Sequence, residues 1–347
     1  MQNKLLTIIV PTYNMEAYLG KCLSSLIVND GYMDLLEVLI INDGSKDKSS
    51  MTAHKYEKSY PQTFRVIDKE NGNYGSCINR GLREATGKYI KILDADDFYD
   101  ESSLVVLLES MRNIDVDLFL TDFTITYLNG EAPSYRKLNI PQRTVCPFSE
   151  IYEQLVGVQM HAIAYRTQML LDMKYLQSEG ISYTDTEWAL LPMTHVEKIY
   201  YIDQSVYQYV VGREGQTMEQ STYFNRRSQI FYINSRLLQY YKETSNYSKD
   251  KQAFFYSYFK IFYHKWYFWS LIEDKFPPSE LIKLDEELKM FLPSLWEELN
   301  EIKFGSMCFI RLWRYSGYNK SKKIKLYILI KTLRARLSKV YRMVVKK

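Results

Sequence analysis

Lys88-Tyr89-Ile90-Lys91-Ile92-Leu93-Asp94-Ala95-Asp96-Asp97 reads as a short buried strand that runs straight into three carboxylates within four residues. Tyr89, Ile90, Ile92 and Leu93 form a β-prone apolar run, and Thr86-Gly87 before them breaks a helix. Three like charges at a strand end repel one another and resist desolvation, so they require a cation or open water. A hard divalent metal such as Mg²⁺ or Mn²⁺ meets that requirement, because it takes oxygen ligands and keeps waters and phosphates in the rest of its shell. The plain alternative is a solvated acidic turn in which Asp97 caps a helix beginning near Glu101.

The same alternation leads up to this stretch. Residues 5–10 form an apolar first strand stopped by Pro11, and Thr12-Tyr13-Asn14 leads into a helix with Tyr18, Leu19, Cys22, Leu23 and Leu26 on one face. Residues 36–41 form a second strand ending in Asn42-Asp43-Gly44-Ser45. A polar helix over 51–58, a third strand over 64–67, and a helix opened by Asn71-Gly72-Asn73-Tyr74-Gly75 and running to Ala85 follow. Strands and helices alternating at this spacing imply βαβ units and a mainly parallel sheet flanked by helices. Ligands of such sheets bind beyond the carboxyl ends of the strands. The polar signals fall there, at 11–14, 42–45 and 94–97.

After Val116 the pattern changes. Strands are expected over 117–121 and 124–127 with a tight turn at Asn129-Gly130, and a strand over 162–166 between short helices or loops at 148–156 and 182–192. Residues 196–202 and 205–211 read as an antiparallel pair. From Tyr223 the chain reads as helices near 225–244, 250–273, 279–292, 304–315 and 323–345. The expected organisation is an α/β domain over 1–222, a helical tyrosine-rich extension over 223–319 and a basic tail helix over 320–347.

With 347 residues the chain can bury a sizeable core, and its apolar and charged fractions are those of a globular protein. The four cysteines have no metal-ligand spacing and read as reduced thiols of a cytosolic protein. Neither a signal segment nor a membrane-length apolar run is expected. The net charge of +4 sets an acidic body, −10 over 1–301, against a tail with 14 Lys and Arg and no Asp or Glu over 302–347. In that tail Leu326, Ile330, Leu333, Leu337, Val340 and Val344 recur at helical spacing, with Lys325, Lys331, Arg334, Arg336, Lys339 and Arg342 on other faces. Such a helix suits an anionic membrane surface, with the protein expected at the inner face of the plasma membrane; the other readings are a helix packed against residues 1–301 and a nucleic-acid-binding tail.

Individual motifs carry distinct chemistry. Asp43 can accept from the N3–H of a uracil ring, or simply make a turn with Gly44 and Ser45. Tyr13 offers a flat face to a base. Asn71, Gly75 and Asn79, in Asn-x-x-x-Gly-x-x-x-Asn, open a helix whose free N–H groups can meet phosphate or ribose. In Tyr183-Thr184-Asp185-Thr186-Glu187-Trp188 two carboxylates lie among aromatic residues, where a raised pKa suits proton abstraction, although Asp185 also reads as a helix cap. His161 and His195 are candidates for a third metal ligand or for holding an acceptor, and each also reads as a packed residue.

In order and spacing, residues 4–125 resemble the amino-terminal half of glycosyltransferase family 2, inverting GT-A-fold enzymes that use nucleotide-sugars. The resemblance rests on Ile8-Ile9-Val10-Pro11-Thr12-Tyr13-Asn14, Val38-Leu39-Ile40-Ile41-Asn42-Asp43-Gly44-Ser45, Asn71-Gly72-Asn73-Tyr74-Gly75 through Asn79-Arg80-Gly81, and Ala85-Thr86-Gly87 leading to Asp94-Ala95-Asp96-Asp97. It implies that Pro11, Tyr13 and Glu16 frame the nucleobase and that Asp43 hydrogen-bonds it. Asp94, with Ala95 beside it, would reach the ribose or sugar, and Asp96 would bind the Mn²⁺ or Mg²⁺ that bridges the diphosphate. Residues 183–187 resemble the family's later acidic motif, with Asp185 as general base and Thr184 where a Glu is more usual. Residues 207–216, with Arg213, resemble the segment that closes over the diphosphate. The implied activity is transfer of a sugar, from a UDP-linked donor, to a glycan or lipid-linked hydroxyl in surface-polysaccharide assembly. A non-catalytic nucleotide-sugar-binding or assembly subunit and a nucleotidyltransferase are the other readings. The second normally has a Gly-rich basic loop near its first strand, which 11–16 lacks.

Overall fold

The computed structural model describes residues 4–213, 220–243 and 246–330. The described residues form a single ten-stranded sheet, with strands β1 (Leu6–Thr12), β2 (Leu36–Asn42), β3 (Phe64–Asp68), β4 (Tyr89–Ile92), β5 (Phe98–Tyr99), β6 (Leu118–Tyr127), β7 (Ser134–Arg136), β8 (Val145–Pro147), β9 (Ile163–Arg166) and β10 (Lys198–Val211). Their order is β3-β2-β1-β4-β9-β6-β10-β5, with β7 on β6 and β8 on β10. The first four strands are parallel, as their alternation with helices predicts. Leu6, Ile8, Ile9, Val10, Ile40 and Ile41 are fully buried there, so both faces of this half are covered.

Beyond β4 the sheet is mixed. β9 runs antiparallel to both β4 and β6. The antiparallel pair expected over 196–211 is instead one continuous strand, β10, lying parallel to β6. The polar step at Asp203-Gln204 is a bulge between Ile202 and Ser205, not a turn. Likewise the strands expected at 117–121 and 124–127 are one strand, β6, and Asn129-Gly130 lies in the loop leading to β7.

Pro11 does not end β1. Its register with β4 stops at Ile9 opposite Ile92, while pairing with β2 continues through Pro11 opposite Ile41 to Thr12 opposite Asn42. The missing N–H therefore falls where β1 has lost one neighbour and no ladder bond is forfeited. This divergence of β1 from β4 opens a crevice at the carboxyl ends of the strands, the ligand position of parallel α/β sheets.

The chain divides into two compact units: Met1–Ile233 with Asn246–Phe254, and Asn234–Ser245 with Phe255–Lys347. The boundary thus falls inside the helical part, beyond residue 222. The second unit is helical, built on Lys249–Leu271 from Phe255 onward, Ile282–Phe291, Pro293–Leu299 and Phe309–Tyr315. Among the described residues no helix is long and apolar enough to cross a membrane. Of the expected tail helix, 322–330 is helical, and Leu333, Leu337, Val340 and Val344 lie outside the described residues.

Candidate functional site

At the end of β2, Asp43 is buried, and its Oδ1 accepts from the Lys69 ammonium and from the Gly72 N–H at 2.9 Å. Asn71 Nδ2 donates to the Asp43 carbonyl at 3.0 Å, and Gly44 turns the chain away with φ +73°. The carboxylate is thus fixed with both of these donors on one oxygen. Beside it, the loop after β1 is laced to the loop after β2. Asn14 N–H donates to Ser45 Oγ, Met15 N–H to Ser49 Oγ, and Glu16 accepts from Lys48 N–H at 2.9 Å. Tyr13 stands half-exposed, at 47%, on this frame, with Pro11 beneath it in the strand.

The three carboxylates after β4 have separate environments. Asp94 Oδ1 accepts from the Tyr74 hydroxyl at 2.9 Å, and burial, then the neighbouring Asp96 charge, raise its pKa to about 7. Asp96 pairs with Arg213, Nε to Oδ2 at 2.8 Å, and the guanidinium also lies over the Tyr18 ring. Asp97 is buried and turned inward. Its oxygens accept from the Tyr207 hydroxyl at 2.6 Å and the Val210 N–H at 2.7 Å, and burial pushes its pKa well up. Asp97 does not cap the following helix; Asp100 does, accepting from Ser103 N–H. Ala95, between them, is buried.

His161 closes the same cluster. Its ring stacks on Tyr209 at 4.5 Å and meets Tyr207 edge-on, and burial lowers its pKa to about 3. Its buried Nδ1 has no hydrogen-bond partner among the described residues. Ligand atoms of Asp94, Asp97 and His161 lie within 4.8 Å of one another, a spacing that can hold a metal ion. His195 is placed elsewhere, bonded to Thr194 Oγ1 and edge-on to Tyr247.

The two later carboxylates are sharply different. Glu187 is fully buried and accepts from both the N–H and the hydroxyl of Ser178 at 2.7 Å. Asp185, at the start of the Asp185–Leu190 helix, is exposed, yet surrounding protein raises its carboxyl above the ordinary range by desolvation. A side chain that is both open and desolvated lies in a recess. Its charge is felt by Asp94, Tyr74 and Tyr209, so it faces the acidic cluster. Tyr183 and Tyr223 meet edge-on beside it at 5.4 Å, and Arg226 donates to Ser182 Oγ.

Asn79 and Gly75 do not stand open to a ligand as the sequence motif suggested. Asn79 is buried, and its amide is consumed by 177–179: it accepts from Gln177 N–H at 2.8 Å and donates to Gln177 O and Glu179 Oε1. A Cβ on Gly75 would lie 1.9 Å from the Ser178 carbonyl oxygen. Both residues therefore seat the 177–179 segment, and through Ser178 the Glu187 helix, against the helix Asn73–Glu84. The structure also adds Lys69, Tyr74, Tyr207 and Tyr209 to the site. Tyr74 lies in the 71–75 motif and Tyr207 and Tyr209 in the 207–216 segment, but neither pattern assigns their hydroxyls or rings a role, and Lys69 lies in no motif. Their contacts emerge only when the strands are assembled.

Aspartates converging beyond the carboxyl ends of an open α/β sheet mark its ligand site, and comparison with known proteins gives the class. Residues 7–173 match the model for "Glycosyl transferase family 2", and the chain carries a glycosyltransferase domain of that family. Among relatives, the uncharacterized glycosyltransferase EpsJ of Bacillus subtilis (strain 168) is 27% identical over 212 residues, covering 59% of this chain and 60% of EpsJ. The chain thus spans less than two thirds of that relative. The crystal structure of residues 1–349 of S. aureus TarS in complex with UDP-GlcNAc superposes with a TM-score of 0.64 at 19% identity, covering 84% of this chain and 82% of that one. The mannosyltransferase PcManGT from Pyrobaculum calidifontis, in complex with GDP-Man and Mn²⁺, gives a TM-score of 0.51 at 14% identity over 94% and 84%. The fold is the α/β GT-A fold with a helical C-terminal region.

Proposed function

We propose that this domain transfers a sugar, with inversion, from a UDP-linked donor to a hydroxyl of a glycan or lipid-linked acceptor. The observation that carries the reading is Asp185: an open carboxylate with raised proton affinity, facing the aspartates after β4, while its neighbour Glu187 is tied inside the fold. In this reading Tyr13, Pro11 and Glu16 frame the uracil and Asp43 accepts from its N3–H on the oxygen not used by Lys69 and Gly72. Asp94 holds the ribose or sugar, and Arg213 passes from Asp96 to the diphosphate. Asp185 takes the acceptor proton as the hydroxyl oxygen attacks the anomeric carbon. The bond to the diphosphate breaks on the opposite face, and the nucleoside diphosphate leaves with the electron pair.

The residues present fit a divalent ion. Asp94 and Asp96 offer hard oxygen donors, and their mutual repulsion is what a cation relieves. Bound there, Mn²⁺ or Mg²⁺ would act as a Lewis acid that neutralises charge growing on the leaving diphosphate. We assign Asp96 as the ligand. A second reading, Asp94 with Asp97 and His161, is favoured by the unpartnered His161 Nδ1 and the convergence of those three side chains. Calorimetry of Mn²⁺-dependent UDP binding separates them: Asp96→Ala abolishes it in the first case, and His161→Ala does so in the second, with Asp96→Ala near wild type.

A donor screen measuring hydrolysis of UDP- and GDP-linked sugars with Mn²⁺ tests the activity itself. UDP release from one donor, lost in Asp185→Asn when acceptor is present, supports transfer. Binding without turnover of any donor would leave the non-catalytic subunit as the better description. TarS, in complex with UDP-GlcNAc, and PcManGT, in complex with Mn²⁺, lend the donor and metal assignments their plausibility. The basic tail supports a peripheral position on the cytoplasmic face of an anionic membrane, which suits a lipid-linked acceptor.

A further inference from the structure

The second unit contains a recess of about 350 Å³ lined by His264, Lys265, Phe268, Trp269, Lys303 and Phe304. The first four come from one face of the helix Lys249–Leu271, and the last two from the chain that crosses it. Its walls are aromatic and its rim is basic. Phe268 meets Phe304 edge-on at 5.4 Å, and the Lys265 ammonium sits 4.5 Å above the Trp269 ring. No lining residue is acidic, and the nearby acids Glu301 and Asp274 are already paired with Arg311 and Lys320.

This recess lies at the root of the basic tail. Phe304 packs edge-on against Tyr327 at 5.6 Å, so the helical segment 322–330 starts from its wall. In that segment Ile324 is fully buried, whereas Leu326, Leu329 and Ile330 are 57%, 56% and 41% exposed. Lys322, Lys323 and Lys325 are exposed beside them and, like Lys303, have no carboxylate partner among the described residues. Ile261, one turn before Lys265, is 58% exposed as well.

We propose that this recess receives the phosphate head group of an anionic phospholipid, so that the second unit itself, and not only its tail, docks on a negatively charged bilayer. The proposal rests on the peripheral-membrane reading above and deepens it. Lysines at the rim supply charge to the phosphate, and aromatic walls suit the boundary between head group and acyl chain. A soluble phosphorylated glycan would use the lysines and rings equally well. It gives no reason for Leu326, Leu329 and Ile330, on the helix that starts from the recess wall, or for Ile261 to stand in water, whereas a bilayer covers them.

The test uses the full chain and phosphatidylglycerol vesicles whose acyl chains are brominated near the head group, with tryptophan quenching and co-sedimentation as readouts. Trp188, Trp266 and Trp313 are fully buried and Trp296 does not line the recess, so the part of the quenching that Trp269→Phe removes reports on the recess. Quenching is expected in the wild type and is expected to fall sharply in Trp269→Phe. Lys265→Glu with Lys303→Glu should weaken vesicle binding by about 30-fold or more, from roughly 1 kcal/mol for each basic residue near the surface, and leave donor hydrolysis unchanged. A separate variant reverses Lys339, Arg342, Lys346 and Lys347 to Glu. If that variant fails to bind and the recess variant binds like wild type, the recess assignment is overturned and the tail reading stands. If the wild type ignores anionic vesicles, both fall. Equal binding to neutral phosphatidylcholine, or saturation of the Trp269 signal by inorganic phosphate alone, also overturns the lipid assignment.

Discussion

Asp185 and Glu187 stand two residues apart and have opposite surroundings, and this contrast organises the site. Glu187→Gln keeps an oxygen for the Ser178 N–H and turns an amide donor towards the Ser178 hydroxyl, so both bonds lose their charge assistance. A cost of about 1–3 kcal/mol in stability is expected, with turnover falling only as far as the helix shifts. Asp185→Asn should leave the melting temperature in place and lower acceptor-dependent turnover by about 10²–10⁴-fold. Thermal melts and a transfer assay on both variants decide it; a dead Glu187→Gln beside a near-normal Asp185→Asn would move the base to Glu187. The sequence shows both carboxylates but not which is tied, because Ser178 arrives from a separate loop. The tyrosine excess has a similar explanation. Tyr74, Tyr207, Tyr201 and Tyr267 each donate a hydroxyl to a carboxylate, Asp94, Asp97, Asp122 and Asp285. Composition reveals the excess but not these pairings.

At the scale of elements, the parallel half of the sheet was legible from its apolar runs and intervening helices, whereas the second half was not. A polar Asp203-Gln204 step reads equally as a turn or a bulge, and only the partner strand β6 decides. Gly75 shows how an element is seated: Gly75→Ala places a methyl carbon against the Ser178 carbonyl, so the helix or the 177–179 segment must move. Loss of acceptor-dependent turnover with a melting-point drop of several degrees is expected, and wild-type melting and turnover would contradict the close approach. Lys91 is another case. It is buried in β4, donates to the carbonyls of His161 at 2.6 Å and Ile163, and burial holds its pKa down to about 7 from 10.5. Between those values the unfolded chain keeps a proton that the folded chain has released, so this residue makes stability rise as pH increases from about 7 towards 10.5. Lys91→Met should therefore gain most over the wild type near pH 6–7, and the gap should narrow by pH 10. Denaturant unfolding in the presence of chelator measures it; a pH-independent gap would mean that the buried ammonium is not the cause.

Across the whole molecule, charge separation between an acidic body and a basic C-terminal stretch was plain in the sequence. What the helices of the second unit enclose was not, since their apolar positions alone suggest an ordinary oily core. At its centre is a buried ion pair. Asp285 is fully buried and takes the Arg314 Nε at 2.8 Å, the Trp296 indole N–H at 3.0 Å, and hydroxyls from Tyr267 and Tyr318. Arg314 in turn donates to the Trp296 carbonyl and to Asn300 Oδ1. These partners come from three helices other than that of Asp285 and from the loop after the last of them, so one carboxylate ties the unit together. Arg314→Met strands a buried charge and is expected to cost about 3–5 kcal/mol, whereas removing both charges in Arg314→Met with Asp285→Asn should recover part of that loss. Arg314→Lys keeps the charge but not the fork of donors, and should fall between wild type and Arg314→Met. The indole of Trp296 bonds to Asp285 directly, so near-ultraviolet dichroism during denaturant unfolding follows this centre. If the single and double variants were equally destabilised, the loss would lie in packing around Arg314, and the ion pair would not be what organises the unit.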